Sequence, residues 1–174
     1  MLCRSVGLLV LILVSTPLWG DAAGKRTRVR FDHTPATRIV VDKSERELVL
    51  YLADGRKKTF RIGLGGDPTG HKWRKGDSRT PEGDYVIDMK NIDSEYYLSV
   101  RISYPNDNDV ATAKRLGVDP GGQIMIHGFP NDARPPYSKY RNKDWTDGCI
   151  AVSNSAMQEI WLAVREHTPI TIQP

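Results

Sequence analysis

Cysteine is nearly absent from this chain. Its 174 residues hold two, Cys3 and Cys149. No Cys-x-x-Cys pair occurs, which excludes a dithiol oxidoreductase and a zinc site of ordinary thiolate spacing. No His-Glu-x-x-His occurs either, and with it goes the helix-borne zinc hydrolase pattern. No apolar run reaches the roughly 20 residues of a comfortable membrane span. Lys and Arg are scattered, and a nucleic-acid interface would need a denser basic stripe with interleaved aromatics. Gly65-Gly66 is not followed by Gly-Lys-Ser/Thr, so no phosphate loop is signalled. Internal repeats and low-complexity stretches are also missing.

What is present begins with Arg4, then the apolar block Val6–Val14, the break at Pro17 and small residues at Gly20, Ala22 and Ala23. That order predicts an export signal over residues 1–23; an uncleaved N-terminal anchor is the alternative. With the signal removed, no membrane association is expected, and the protein would reside in the periplasm or cell wall. Arg4 and Asp21 cancel, so the net charge of +4 is carried by the rest. A mildly basic exported protein suits anionic wall or membrane surfaces. Residues 24–37 read as a mobile leader, and residues 38–174 as one domain, expected to be monomeric.

Within that domain the pattern is mainly β with one or two short helices. Arg38–Asp42 and Arg46–Leu52 read as strands. Asp54-Gly55 is a hairpin turn, and Lys58–Leu64 alternates as a third strand with Phe60, Ile62 and Leu64 on one face. A Gly- and Pro-rich loop follows. Strands are predicted at Asp84–Met89, Tyr96–Tyr104, Gln123–His127 and Pro169–Ile172. Helices are predicted over Asp107–Leu116, with Asp109 as N-cap and Gly117 as the stop, and over Ala156–Glu166 behind Ser153-Asn154-Ser155. Residues 129–144 form a long irregular segment with Pro130, Pro135 and Pro136. Segments of that kind in small domains are usually functional or disordered.

Two short stretches carry chemistry. His127 ends the run Ile124-Met125-Ile126, and Cys149 opens the run Ile150-Ala151-Val152 behind Gly148. A lone cysteine outside the signal is buried and inert, paired between molecules, or a reagent. A histidine at a strand end is often only structural. Together they are a candidate nucleophile and base. A neighbouring imidazole lowers a thiol's pKa by forming a thiolate–imidazolium pair, which attacks an acyl carbon and yields a thioester. Gly148 beside Cys149 leaves room for backbone N–H donors to a developing oxyanion. Gly128 leaves His127 room, and a carbonyl there would fix its tautomer. A zinc site of His71, His127, Asp147 and Cys149 is the rival chemistry. His33 falls in the leader, and His167 at a helix end has a capping role.

These pieces resemble the L,D-transpeptidase (YkuD-type) catalytic domain family, which carries a histidine followed, after a mobile segment, by Ser/Thr-x-Gly-Cys. The matching residues are His127-Gly128 and Thr146-Asp147-Gly148-Cys149, together with Val41–Leu48, Gly76-Asp77 and Thr80-Pro81-Glu82-Gly83. The resemblance covers about residues 38–173. It implies a β-sandwich-like domain and a cysteine peptidyltransferase acting on peptidoglycan stem peptides, without metal or other cofactor. On that likeness Cys149 is the nucleophile, His127 the base and acid, Gly128 the orienting carbonyl, and Gly148 with Cys149 the oxyanion turn. The acceptor would be an amine on another stem, an anchored protein or a D-amino acid. Trp145, Thr146, Asp147, Arg134 and Arg141 are the expected substrate contacts, with residues 129–144 as a cationic lid that reads the donor's carboxylates. Two positions depart from the family pattern. Asp147 stands where histidine is common, and Ala151 where Arg or Asn is common. They leave open a hydrolase outcome, either an L,D-carboxypeptidase or an amidase. A silent wall-binding module is the alternative from outside enzymology.

Overall fold

The computed structural model describes residues 34–174. The expected export signal, and the leader up to residue 33, lie outside the described residues. Strand β1 (Ala36–Asp42) starts two residues ahead of the expected place, because Ala36 already pairs with Leu52. β2 (Glu47–Leu52) and β3 (Lys57–Arg61) complete an antiparallel meander. Alternation sends Leu48, Leu50 and Leu52 of β2 into the core with Ile39 and Val41 of β1. Each such side chain contributes about 1.5–3 kcal/mol of burial.

β4 (Gly83–Asn91), β5 (Ser99–Ile102), β6 (Met125–His127), β7 (Ile150–Ala151) and β8 (Pro169–Gln173) extend the sheet to eight strands. The spatial order is β3-β2-β1-β8-β4-β5-β6-β7. The last strand is inserted in the middle, parallel to β1 and antiparallel to β4. β4 belongs to both halves. It pairs with β8 through Gly83–Val86 and with β5 from Ile87 onward, with a bulge between Ile87 and Met89. Such a bend lets one strand turn a sheet over on itself. The sheet's ends then meet: Gly63, just past β3, bridges Ala151 of β7, and Gly65 bridges Thr146. The domain is thus mainly β, a curled sheet with two helices.

α1 (Asp107–Leu116) is capped by Asn106 rather than Asp109. The Asn106 side chain accepts from the N–H groups of Asn108 and Asp109. The Asp109 carboxylate returns to the Asn106 N–H at 2.9 Å, closing a capping box. α2 (Asn154–Ala163) starts on Ser153 and buries Met157 and Ile160. It ends sooner than Glu166, where the Lys90 ammonium takes the carbonyls of Trp161 and Val164 at 2.6 and 3.0 Å.

One buried charge positions the loop between β3 and β4. Lys43, 2 % exposed, donates to the carbonyls of Gly70 and Thr80 and to the Glu82 carboxylate at 2.7 Å. All three ammonium hydrogens are thereby used, which makes the burial tolerable. Thr80 Oγ1 accepts from the Gly65 N–H at 3.1 Å within the loop, and the Gly66 N–H donates to the Thr146 carbonyl at 3.0 Å, which holds the loop against the turn that carries Cys149.

Candidate active site

β6 and β7 run parallel, with Ile126 opposite Ile150 and His127 opposite Ala151. This register sets Cys149, one residue before β7, beside Met125. The Met125 N–H points at Cys149 Sγ at 3.4 Å. Met125 and His127 are two apart on one strand, so their side chains share a face. His127 and Cys149 accordingly line the same cavity, of about 430 Å³, with Tyr96, Gln123, Trp145, Thr146 and Asp147.

His127 is 4 % exposed. Its Nδ1 lies 2.7 Å from the Gly128 carbonyl, a partner that can only accept. Nδ1 therefore carries the proton, and Nε2 keeps its lone pair. The ring is packed between Tyr96, with centroids 4.6 Å apart, and the edge of Trp145 at 5.6 Å. Gly128 has to be glycine here. A Cβ would sit 2.6 Å from Asn154 Oδ1 and 2.9 Å from Tyr97 Cβ. Asn154 also accepts the Phe129 N–H at 2.8 Å.

The cysteine turn is clasped by Thr146, which is 7 % exposed. Its hydroxyl donates to the Cys149 carbonyl at 2.7 Å and accepts the Gly148 N–H at 3.2 Å. Gly148 has φ 130, and a Cβ there would meet the Arg79 carbonyl at 2.5 Å. Thr146 thus holds the turn as well as lining the cavity, and the Gly148 N–H is engaged inside the turn. The Cys149 N–H makes no hydrogen bond among the described residues.

The electrostatics also differ from the sequence expectation. Burial pushes the Cys149 thiol up and, against it, the Met125 N–H pulls down; nearby Asp147 raises it further and Lys72 lowers it. Burial holds the His127 imidazole below its ordinary value, opposed by the Gly128 carbonyl. The unliganded pair therefore favours thiol and neutral imidazole over two separated charges, because each ion loses its water in the cavity.

Arg134 and Arg141 are not brought to this cavity. Arg134 is exposed and donates to the Ala133 carbonyl. Arg141 lines a separate cavity of about 380 Å³ with Phe60, Phe129 and Tyr140. Lys139 and Lys143 are exposed as well. The lining around Cys149 contains Asp93, Glu95 and Asp147 and neither Lys nor Arg. The cationic lid over the thiol is thus not what residues 129–144 form. Their aromatic residues do the contacting: Phe129 stacks on Tyr137 and Tyr140, and Tyr140 meets Trp145 at 5.1 Å. The rival zinc set is not assembled either. His71 is turned to Asp109 at 3.2 Å, and no metal-competent group of His, Cys, Asp and Glu occurs among the described residues.

Comparison with known proteins gives the family and the fold. The model of the YkuD family, the L,D-transpeptidase catalytic domain, matches residues 36–172. This chain belongs to that family. It is 30% identical over 129 residues to the Escherichia coli K12 protein named "Putative L,D-transpeptidase YafK", covering 71% of this chain and 45% of that one. The chain therefore spans about half the length of the curated relatives it matches. Among solved structures it is similar to the helical cell shape determining protein Pgp2 of Campylobacter jejuni, with 27% identity and TM-score 0.58 over 79% of this chain and 47% of that one. An L,D-transpeptidase of Mycobacterium tuberculosis shares the fold at 17% identity, TM-score 0.52, over 80% of this chain and 58% of that one.

Proposed function

We propose that this chain is an exported cysteine acyltransferase of peptidoglycan stem peptides. Cys149 takes the acyl group of a stem as a thioester, and an amine then takes it from Cys149. The observation that carries the reading is the shared cavity of Cys149 and His127, with His127 Nδ1 held on the Gly128 carbonyl and Nε2 left as the acceptor for the thiol's proton. As sulfur attacks the carbonyl carbon, His127 takes its proton and returns it to the departing amine. The Cys149 N–H faces the developing oxyanion. Family membership supports the substrate class, and the likeness to a cell shape determining protein supports a role in wall remodelling. Export rests on the order of residues 1–23; no described helix is long and apolar enough to cross a membrane.

Hydrolysis of the same thioester is the second reading. It is favoured by the half-buried state of Cys149 and by the absence of lid cations from its cavity, both of which give water access. Incubation of the full chain with tetrapeptide sacculi, followed by muropeptide mass spectrometry, separates the two. New crosslinks or exchanged terminal D-amino acids mean transfer, and shortened stems mean hydrolysis. A Cys149→Ala variant that still yields either product sinks both.

A further inference from the structure

The large hydrophobic side chains exposed among the described residues fall into two groups. Ile92, Tyr96 and Tyr97 lie on the turn bordering the Cys149 cavity, whereas Trp73, Val110 and Leu116 belong to the loop between β3 and β4 and to α1. That loop runs beside α1. His71 Nε2 lies 3.2 Å from the Asp109 carboxylate in the first turn of α1, and the Lys75 N–H donates to the Asp119 carbonyl at 2.7 Å, past the last turn. Trp73, 43 % exposed, sits between these two fixed points. Leu116, 58 % exposed, follows Asp109 by seven residues and so lies on the side of α1 that faces the loop.

The loop's tip is wound around one carboxylate. Asp77 accepts from the N–H groups of Trp73, Arg74 and Arg79 and from the Lys72 ammonium. With the backbone tied inward, the side chains of Trp73, Arg74 and Lys75 are left exposed, and His71 packs edge-on against the Trp73 ring at 4.5 Å. α1 adds Lys114 and Arg115 in its last turn. All four cations are exposed, and none makes an ion pair among the described residues. The neighbouring carboxylates are turned elsewhere: Asp77 into the tip, Asp109 to His71, and Asp119 to the Gly121 N–H at 2.8 Å. The helix dipole accounts for cations at the end of α1, but not for Arg74 and Lys75.

We propose that Trp73, Leu116 and the cations Arg74, Lys75, Lys114 and Arg115 form a docking face for the surface of an anionic phospholipid bilayer. An indole has an apolar body and a polar N–H, and it settles at headgroup level. Lys and Arg beside it meet the lipid phosphates. A soluble polyanion would engage the cations and leave Trp73 and Leu116 in water, so the bilayer fits the whole surface. The contact is peripheral and made by the folded domain. It is separate from the export signal, whose removal by itself predicts no membrane association. Lys75 also lines a cavity of about 660 Å³ that shares Gln123 and Asp147 with the Cys149 cavity. Docking therefore holds the nucleophile close to the membrane surface.

The test uses residues 34–174, which hold all eight strands and the whole apolar core, so that the apolar and basic residues ahead of the domain do not bind vesicles themselves. Vesicles of phosphatidylcholine alone are compared with vesicles of phosphatidylcholine and phosphatidylglycerol in equal parts. The domain is expected to sediment with the mixed vesicles and not with phosphatidylcholine alone, and less so as salt is raised. Arg74→Gln with Lys75→Gln lowers the partition coefficient by about 25-fold, at about fivefold per surface cation, and so does Lys114→Gln with Arg115→Gln. Acyl chains brominated in the mixed vesicles quench part of the indole fluorescence, and that part is lost in Trp73→Ala. Circular dichroism confirms that these exposed substitutions leave the fold intact. Binding to neither vesicle, or binding unchanged in both cation variants, overturns the assignment. Salt-sensitive binding without quenching of Trp73 also overturns it and marks the face as a site for soluble polyanions.

Discussion

The proton on Cys149 is the smallest object on which the chemistry turns. Burial opposes both the thiolate and the imidazolium, so alkylation of Cys149 by iodoacetamide is expected to climb with pH, with a midpoint above the ordinary thiol value of about 8.5. A labelling rate already maximal at neutral pH would mean a preformed ion pair. Turnover has the opposite limb. His127 stays neutral below its ordinary pKa of about 6.5; only as pH falls through its lowered folded value is the base protonated and the rate lost. His127→Ala is expected to cost about 10²–10⁴-fold in kcat. Thr146→Val removes both hydrogen bonds of the clasp and is expected to cost about 1–3 kcal/mol in thermal unfolding, along with activity; Thr146→Ser retains both. Cys149, His127, Gly128 and Gly148 were legible in the sequence because their signal is local: a glycine beside a reactive side chain at a strand end. Thr146's clasp and the Lys72–Asp77 pair were not. The first needs the turn's own hydrogen bonds, and the second, between residues in one irregular loop, needs that loop's backbone path, which follows no period in the sequence.

Residues 129–144 are held at their end by a forked pair, Arg46 Nε and Nη2 to the Asp144 carboxylate at 2.8–3.2 Å, and Asp144 also accepts the Leu64 N–H at 2.9 Å. Asp144→Ala frees that end and the neighbouring Trp145, which borders His127. The expected loss is about 1–3 kcal/mol in denaturant unfolding, with a fall in turnover. Arg134→Ala and Arg141→Ala, by contrast, are expected to leave kcat/KM on stem tetrapeptide within about twofold, because neither residue lines the Cys149 cavity. A tenfold loss in either would restore the cationic lid. Length and proline content marked this segment as special, but a list of its charges could not say which way they face. The same limit applied to β8. Its alternation marks a strand, yet its place between β1 and β4 depends on partners that lie more than eighty residues away in the chain, as the pairing of Asp84 with Thr171 illustrates. The meander, α1 and α2 were legible because their turns and caps are local.

Across the whole domain, two ion pairs on buried lysines hold the long loop that packs against Gly148 of the cysteine turn, Lys43 with Glu82 and Lys72 with Asp77. Burial pushes the Asp77 carboxyl up, but the Lys72 ammonium and three backbone N–H groups outweigh it and hold the pKa at about 2. The sign follows from the depressed value. The stability Asp77 contributes is present above its unfolded pKa of about 3.9 and is lost as pH falls through about 2. Asp77→Asn, which strands Lys72, is expected to cost about 3–5 kcal/mol by urea unfolding at neutral pH. The acyl-transfer account itself is tested most directly by intact-protein mass spectrometry of the full chain mixed with a stem tetrapeptide. The account predicts one stem acyl group on Cys149, with one terminal D-amino acid released per adduct, and neither event in Cys149→Ala. An unmodified protein with unchanged peptide, or release that persists without Cys149, would contradict it.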